Sequence, residues 1–326
     1  MHGLAHIPPH QSAPSRWNSP PAWLDLHDQI NRRLGQLVPA PSHPPVSLSR
    51  AVRHGLLAPG KRVRPLLTML TAADFGCDPN VAIDAGCALE LIHTASLVLD
   101  DLPCMDNANL RRGLPTTHVA YGEATSVLAA ITMLTRAFGI VAAIEHLTDA
   151  QRVALTAILS TASGADGLAA GQERDLNDRS VRDNLAKIDD INDQKTGALF
   201  IAAVEMGGVI ANADANAMVA LRALGREVGL AFQALDDVID ASRSTAEAGK
   251  DTSKDSGKAT VATVLGLEPA RLEVRRHMEA AIAAIEPFTS ADGPLRAFVA
   301  AMFTEAVVCA DAKIGAPVGG ATPANR

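Results

Sequence analysis

Ala and Leu recur at helical spacing along most of this chain, aromatic residues make up only 3%, and runs that alternate β-branched with polar residues are nearly absent. Without period-two patterning a sheet cannot sort its two faces, so the apolar surface must be buried helix against helix. The reading is an all-α fold. Helices are predicted over 22–38, 46–57, 62–75, 79–101, 117–145, 149–169, 181–190, 193–211, 215–243, 257–264, 268–286 and 292–312, separated by short polar or Gly/Pro turns. No solenoid repeat and no Ser/Gly-rich linker divides the middle of the chain. A single helical domain over 22–314 is therefore predicted, with an exposed N-terminal arm over 1–21 and a mobile tail over 315–326.

With 326 residues, 48% of them hydrophobic, the chain can bury a large core. Its formal charge is −7 and no basic stretch is long enough to follow a nucleic-acid backbone, so nucleic acid is not an expected partner. Cys77, Cys87, Cys104 and Cys309 lack the paired spacing of a zinc site or disulfide framework and read as reduced thiols of a cytoplasmic protein. The N-terminus is rich in Pro, His and Ser and has no apolar core behind a basic start, unlike a signal peptide. The apolar stretches 125–144 and 196–213 are interrupted by Arg136 and Glu205 and read as buried helices, so no integral membrane segment is expected.

Against this apolar background, two aspartate pairs stand out. Asp100-Asp101 and Asp236-Asp237 lie more than a hundred residues apart, and each is followed by a further acid, Asp106 and Asp240. Crowded carboxylates repel unless a multivalent cation neutralises them, and hard oxygen ligands point to Mg²⁺ bound together with a phosphorylated substrate. On the helix ending near Asp100, His93 is seven residues earlier and shares its face, about 10 Å away along the axis, with Ser96 one turn below Asp100. Leu102-Pro103 then disfavours further helix, so Asp106 is expected from a turn or displaced helix. Asp236 and Asp240 are one helical turn apart and project together, and Gln233 precedes Asp237 by one turn, where it can donate to a phosphate oxygen.

Cations beside Gly, Pro or Thr accompany the clusters: Gly60-Lys61-Arg62-Val63-Arg64-Pro65, Arg111-Arg112-Gly113, Lys195-Thr196-Gly197 and Gly249-Lys250-Asp251. Each has the composition of an anion-binding turn, although each alone is also compatible with an ordinary surface cation.

Taken in order, these segments resemble the trans-polyprenyl diphosphate synthases. The similarity spans about residues 50 to 270 and includes Glu90-Leu91-Ile92-His93-Thr94, Asp100-Asp101-Leu102-Pro103-Cys104-Met105-Asp106, Leu110-Arg111-Arg112-Gly113, Gly171-Gln172, Lys195-Thr196-Gly197 and Phe232-Gln233-Ala234-Leu235-Asp236-Asp237-Val238-Ile239-Asp240. The resemblance implies an antiparallel helical bundle around a deep central cavity, a homodimer, and condensation of isopentenyl diphosphate with allylic diphosphates. It implies two or three Mg²⁺ ions on Asp100, Asp106 and Asp236, with Asp101, Asp237 and Asp240 ligating or supporting. It implies isopentenyl diphosphate on Lys61, Arg64, His93 and Arg112, and the allylic diphosphate on Arg111, Lys195, Thr196, Gln233 and Lys250. Asp100, Asp101, Asp236, Lys195 and Arg111 are the expected catalytic group. Ala95 and Ser96, small residues below the first cluster, are expected to set chain length and to permit a C20, geranylgeranyl product, with the C15 product as the alternative. Departures from the family pattern include Asn107, Ala108 and Asn109 after the first cluster, Leu99, and Ala130-Ile131. A class I terpene cyclase and a non-catalytic partner subunit are the competing readings. The first has no need for a second diphosphate site, and the second typically loses an aspartate cluster.

Overall fold

The computed structural model describes residues 21–178, 185–242 and 264–303, with the side chains of 21–23, 185–186 and 240–242 outside that description. Nearly all of it is helix. In chain order the elements are α1 (Pro21–Leu37), α2 (Val46–Leu56), α3 (Val63–Asp74), a 3₁₀ turn (Pro79–Ala82) and α4 (Ile83–Asp100), then a two-residue ladder β1 (Leu110–Arg111) and β2 (Leu114–Pro115). α5 (Thr117–Tyr121), α6 (Glu123–Ala142), α7 (Asp149–Ser163), α8 (Leu168–Asn177) and α9 (Leu185–Asn192) follow. A π turn (Asp193–Gly197) leads into α10 (Ala198–Ile210) and then α11 (Ala215–Ser242). The last elements are α12 (Leu267–Ile285) and α13 (Pro294–Phe303).

α4 is the central helix and packs against α3, α6 and α10. Its Ala85, Ala88, Leu89 and Leu91 are fully buried and Ile92 nearly so, a helix apolar all round as a core position requires. α10 and α11 are packed together and joined by a short turn at 211–214, so they run antiparallel.

Several sequence expectations need correction. The helix expected over 117–145 is two, because Gly122 at φ +85 breaks the ladder that an L residue would continue. The helix expected over 149–169 ends at Ser163, and α8 was not anticipated at all. Its sequence, Leu-Ala-Ala-Gly-Gln-Glu-Arg-Asp-Leu-Asn, has too little apolar periodicity to signal a helix. The ladder at 110–115 is a small exception to the expected lack of strands.

The stretch 125–144, read as a buried helix, is buried on one side only, at Ala129, Ala130, Met133, Ala137, Ile140 and Val141. Pro79–Asp100, Glu123–Ala142 and Asp149–Asn177 are each long and apolar enough to cross a membrane by length and composition, yet only the first is mostly enclosed. In α6, Leu128 and Ile131 are half exposed, because the helix presents one apolar face to α4 and another outward. Of the arm expected over 1–21 only Pro21 is described, as the first residue of α1, and the tail over 315–326, Cys309, residues 257–263 of the helix expected over 257–264 and residues 304–312 of that expected over 292–312 lie outside the described residues.

The C-terminal end of α3 carries a half-buried carboxylate. Asp74 accepts the Leu295 backbone N–H (3.3 Å) at the start of α13, and burial pushes its carboxyl from 3.8 to about 7 while that hydrogen bond pulls it down. The folded state therefore holds this proton up to about pH 7, whereas the unfolded chain releases it near 3.8. Between those values the folded state binds more protons, so the stabilisation is complete below pH 3.8 and is lost as pH rises through about 7. Asp74→Asn keeps the acceptor and removes the charge. It is expected to stabilise the protein by about 1–2 kcal/mol at pH 8 and by nothing measurable near pH 4. Urea unfolding at the two pH values reads this directly; an equal effect at both would refute it.

Candidate active site

The first carboxylate cluster is made by the abrupt end of α4. Pro103 cannot continue the helix, and the chain folds back so that the Asp106 N–H donates to the Asp100 carbonyl (2.9 Å) and the Ala108 N–H to the Asp101 carbonyl (3.1 Å). Asp106 thus arrives in a turn, as expected, beside Asp100. Burial pushes the Asp100 carboxyl up to about 6; Lys195 and Arg111 lower it while Asp106 and Asp101 raise it further. Asp101 is buried, and its Oδ1 alone accepts from Arg111 Nε (3.0 Å) and Nη2 (2.6 Å), so this carboxylate is already held by a charge-assisted pair. The hairpin of β1 and β2 delivers that arginine, with Arg112 (φ +54) and Gly113 (φ +77) forming its tip.

A wall of cations stands alongside. Arg64 on α3 is 7% exposed and lies 4.5 Å from the centroid of the Phe200 ring, and its Nε has no hydrogen-bond partner among the described residues. Burial lowers its pKa to about 10, with Glu90 opposing, Arg112 adding to the fall and Asp236 opposing it. His93 is held well below its usual value, by burial first and then by Arg64, Arg112, Arg111 and Arg62, so its imidazole is neutral. Lys61 is exposed. A buried guanidinium with an unused donor, beside further arginines, is a place where an anion is favoured.

The second cluster sits on α11 and is joined to the first through the π turn. Lys195 Nζ donates to Asp175 Oδ2 (2.6 Å) and lies close enough to Asp100 to hold its proton affinity down. Thr196 Oγ1 donates to Gln233 Oε1 (3.1 Å), and Gln233 Nε2 donates to Asp237 Oδ1 (3.0 Å). One short turn thereby touches both acidic groups. Asp236 is half-buried and acts on Arg64, and Asp237 is 8% exposed. Asp240 follows on the same helix, its side chain outside the described set, and Lys250 lies outside the described residues.

The π turn is shaped by its neighbours. A Cβ on Gly171 of α8 would lie 2.2 Å from the Lys195 nitrogen, and one on Gly229 of α11 would lie 2.7 Å from the Gly197 Cα. Both helices approach the turn backbone to backbone. Arg174 Nη1 donates to Gln194 Oε1 (2.9 Å) and, with Asp175 on Lys195, latches α8 to it. Sequence reasoning missed Asp175 and Arg174. The signal was available in the charges that follow Gly171-Gln172, but no helix was expected there.

Among the described residues no three His, Cys, Asp or Glu side chains converge enough to hold an ion alone. Mg²⁺ takes one or two carboxylates and fills its octahedron with water and substrate phosphate, so an open, oxygen-only donor set fits it. After burial, Asp106 and Asp101 also raise the Asp100 carboxyl, a like-charge crowding that a bound cation would relieve.

A family model described as "Polyprenyl synthetase" matches residues 45–292. The chain belongs to the polyprenyl synthetase family. It is 42% identical over 254 residues to a geranylgeranyl diphosphate synthase of Pantoea ananas, covering 77% of this chain and 83% of that one. A geranylgeranyl diphosphate synthase of Pseudescherichia vulneris is 42% identical over 259 residues, covering 78% and 83%. Among solved structures, an FPP/GFPP synthase from Zymomonas mobilis superposes with a TM-score of 0.78 at 36% identity, covering 87% of this chain and 98% of that one. A geranyltransferase from Helicobacter pylori, complexed with magnesium and isoprenyl diphosphate, gives 0.78 at 29%, covering 92% and 99%. This polyprenyl synthetase is accordingly a trans-prenyltransferase with the all-α fold expected from the sequence.

Proposed function

We propose that the enzyme makes geranylgeranyl diphosphate by adding isopentenyl diphosphate to allylic diphosphates. The observation that carries this reading is the pairing of two anion sites. One lies beside the acidic clusters at Lys195 and Thr196, and the other gathers the guanidinium groups of Arg64 and Arg112 around His93. A single-substrate cyclase has no use for the second.

In this reading Lys195, Arg111, Thr196, Gln233 and Lys250 hold the allylic diphosphate, while Lys61, Arg64, His93 and Arg112 hold isopentenyl diphosphate. Asp100, Asp106 and Asp236 would ligate two or three Mg²⁺ ions. Asp237 and Asp240 would ligate or support them, and Asp101, fixed by Arg111, supports. Bound magnesium supplies charge stabilisation for the departing diphosphate. Lys195 and Arg111 stabilise the same developing charge as the allylic C–O bond breaks. The isopentenyl double bond then attacks the allylic cation, and the condensed cation gives a proton to the departed diphosphate, which yields a double bond and a diphosphate five carbons longer. Neutral His93 can donate a hydrogen bond to the isopentenyl diphosphate without adding a charge to a site already crowded with guanidinium groups.

Ala95 is fully buried and Ser96 is half-buried with its hydroxyl on the His93 carbonyl (2.8 Å). Both are small, which supports passage of a long tail below the first cluster. The purified enzyme, given Mg²⁺, isopentenyl diphosphate and dimethylallyl, geranyl or farnesyl diphosphate in turn, is expected to yield mainly the C20 diphosphate. A hydrocarbon product, or no elongation from any primer, would overturn the reading. Ala95→Tyr is expected to move most of the product to C15. Because a Tyr there also crowds the core, at a cost of about 1–3 kcal/mol, Ser96→Phe serves as a second probe, and a product distribution unmoved in both removes this wall from the chain-length assignment.

A homodimer and a cytoplasmic location complete the proposal. Exposed Val119 of α5, Leu128 and Ile131 of α6 and Val153 of α7 form apolar surface that a second copy would cover. Light scattering that gives a monomer mass would remove the dimer. Cys77 and Cys87, neither exposed, and Cys104 are free thiols, as a reducing compartment requires; cell fractionation checks the location.

A further inference from the structure

Helix α1 lies outside the 45–292 segment that the family model matches, yet it holds the loop from which the cation wall starts. Leu26, Ile30 and Leu34 repeat every fourth residue and are buried, and the forked pair of Arg33 with Asp84 (2.6 and 2.8 Å) fastens the helix to α4. On the neighbouring face, His27 Nε2 is 2.8 Å from the Gly60 carbonyl, Asn31 Nδ2 is 3.2 Å from His27 Nδ1, and Arg62 Nε donates to Asn31 Oδ1 (2.9 Å).

The direction of this relay is forced. A carbonyl only accepts, so Nε2 of His27 carries the proton and Nδ1 accepts from the Asn31 amide, which leaves the Asn31 oxygen for Arg62. Arg62 is then held on every side: beyond the bond to Asn31, its Nη1 donates to Glu90 (3.0 Å) and its Nη2 to the Leu56 and Ala58 carbonyls (3.0 and 2.8 Å). It stands in the left-handed region at φ +49, which turns its side chain into the interior between exposed Lys61 and wall-forming Arg64. Gly60, gripped by His27, lies directly against the Arg112 guanidinium, since a Cβ there would be 2.8 Å from Nη1. Fixing the Gly60 carbonyl and the Arg62 fork therefore fixes the chain that presents Lys61, Arg64 and the seat of Arg112.

We infer that His27 and Asn31 are positioning residues for isopentenyl diphosphate, acting through Gly60 and Arg62 on the cation wall. The inference rests on the reading of Lys61, Arg64 and Arg112 as that wall.

The test is steady-state kinetics on the full-length enzyme carrying His27→Phe, His27→Gln, Asn31→Ala or, as a direct probe of the wall, Lys61→Ala. His27→Phe and Asn31→Ala are expected to raise KM for isopentenyl diphosphate about fivefold, the size of one neutral hydrogen bond. kcat and KM for the allylic substrate should stay within twofold. Gln carries both a donor and an acceptor, so His27→Gln is expected to restore most of the affinity. A lowered melting temperature with unchanged KM in His27→Phe and Asn31→Ala would overturn the inference, as would equal changes in both KM values. If Lys61→Ala raises KM for isopentenyl diphosphate while the α1 variants do not, the relay fails and the wall stands. If Lys61→Ala also leaves it unchanged, the wall itself is misassigned.

Discussion

Asp236→Asn is expected to lower kcat about 10²–10³-fold, the range seen when one preorganised charge-stabilising group is removed from an active site. The amide keeps the shape of the carboxylate but cannot neutralise a dication. Its neighbours are the reason the loss should be large: Asp236 acts on Arg64, and Asp237 beside it is tied through Gln233 and Thr196 to the turn that carries Lys195. The Mg²⁺ concentration needed for half-maximal rate should rise about 10–100-fold. The apolar face of α11 is untouched, because Val228, Ala231 and Leu235 still pack inward. The melting temperature should therefore stay within about 3 °C. Rates measured across a magnesium titration decide the matter, and a kcat within threefold of the parent would remove Asp236 from the metal set.

The second large effect arises from a residue that contacts no substrate in the proposed mechanism. In Gly171→Ala the new methyl would sit 2.2 Å from the Lys195 nitrogen and 2.6 Å from its Cα, so backbone must move by about an ångström. Such a shift at a charge-placing residue costs about 10²-fold in rate. Because the clash is backbone against backbone, a stability loss of about 1–3 kcal/mol is expected as well. Comparing kcat with Lys195→Ala at a temperature where both variants are folded separates the two contributions. Gly171→Ala retaining a third or more of parental kcat would show that the turn tolerates displacement.

How much of this was readable beforehand depends on what each residue does. Helices with an apolar stripe, such as α4 and α10, announce themselves because burial imposes the period. α8 does not, since one of its faces is spent on gripping the π turn with Gly171, Arg174 and Asp175, and a polar grip leaves no hydrophobic period. The acidic pairs were legible because crowded carboxylates are rare without a cation. The different fates of Lys61, Arg62 and Arg64 were not, because one αL residue turns Arg62 toward Glu90 and α1 while Lys61 stays exposed, and spacing is silent about φ. His27 and Asn31 belong to no motif that the sequence singles out. Their partners are fixed only by how α1 docks, an interaction between segments distant in sequence. The outward face of α6 was misjudged because apolar sequence was equated with enclosure.

A π turn is a helix with one residue more than regular i to i−4 pairing can accommodate. At 193–197 that surplus sets the rotational phase between α9 and α10. Losing one position there would let the ladder close into uninterrupted α-helix and swing the Lys195 side of the turn by about 100° relative to α10. The ammonium would then face away from the acidic pair at the end of α4. In the proposed mechanism, catalytic geometry thus depends on the count of residues between two helices as much as on their identity, and a deletion in this stretch would do harm that no conservative replacement could mimic.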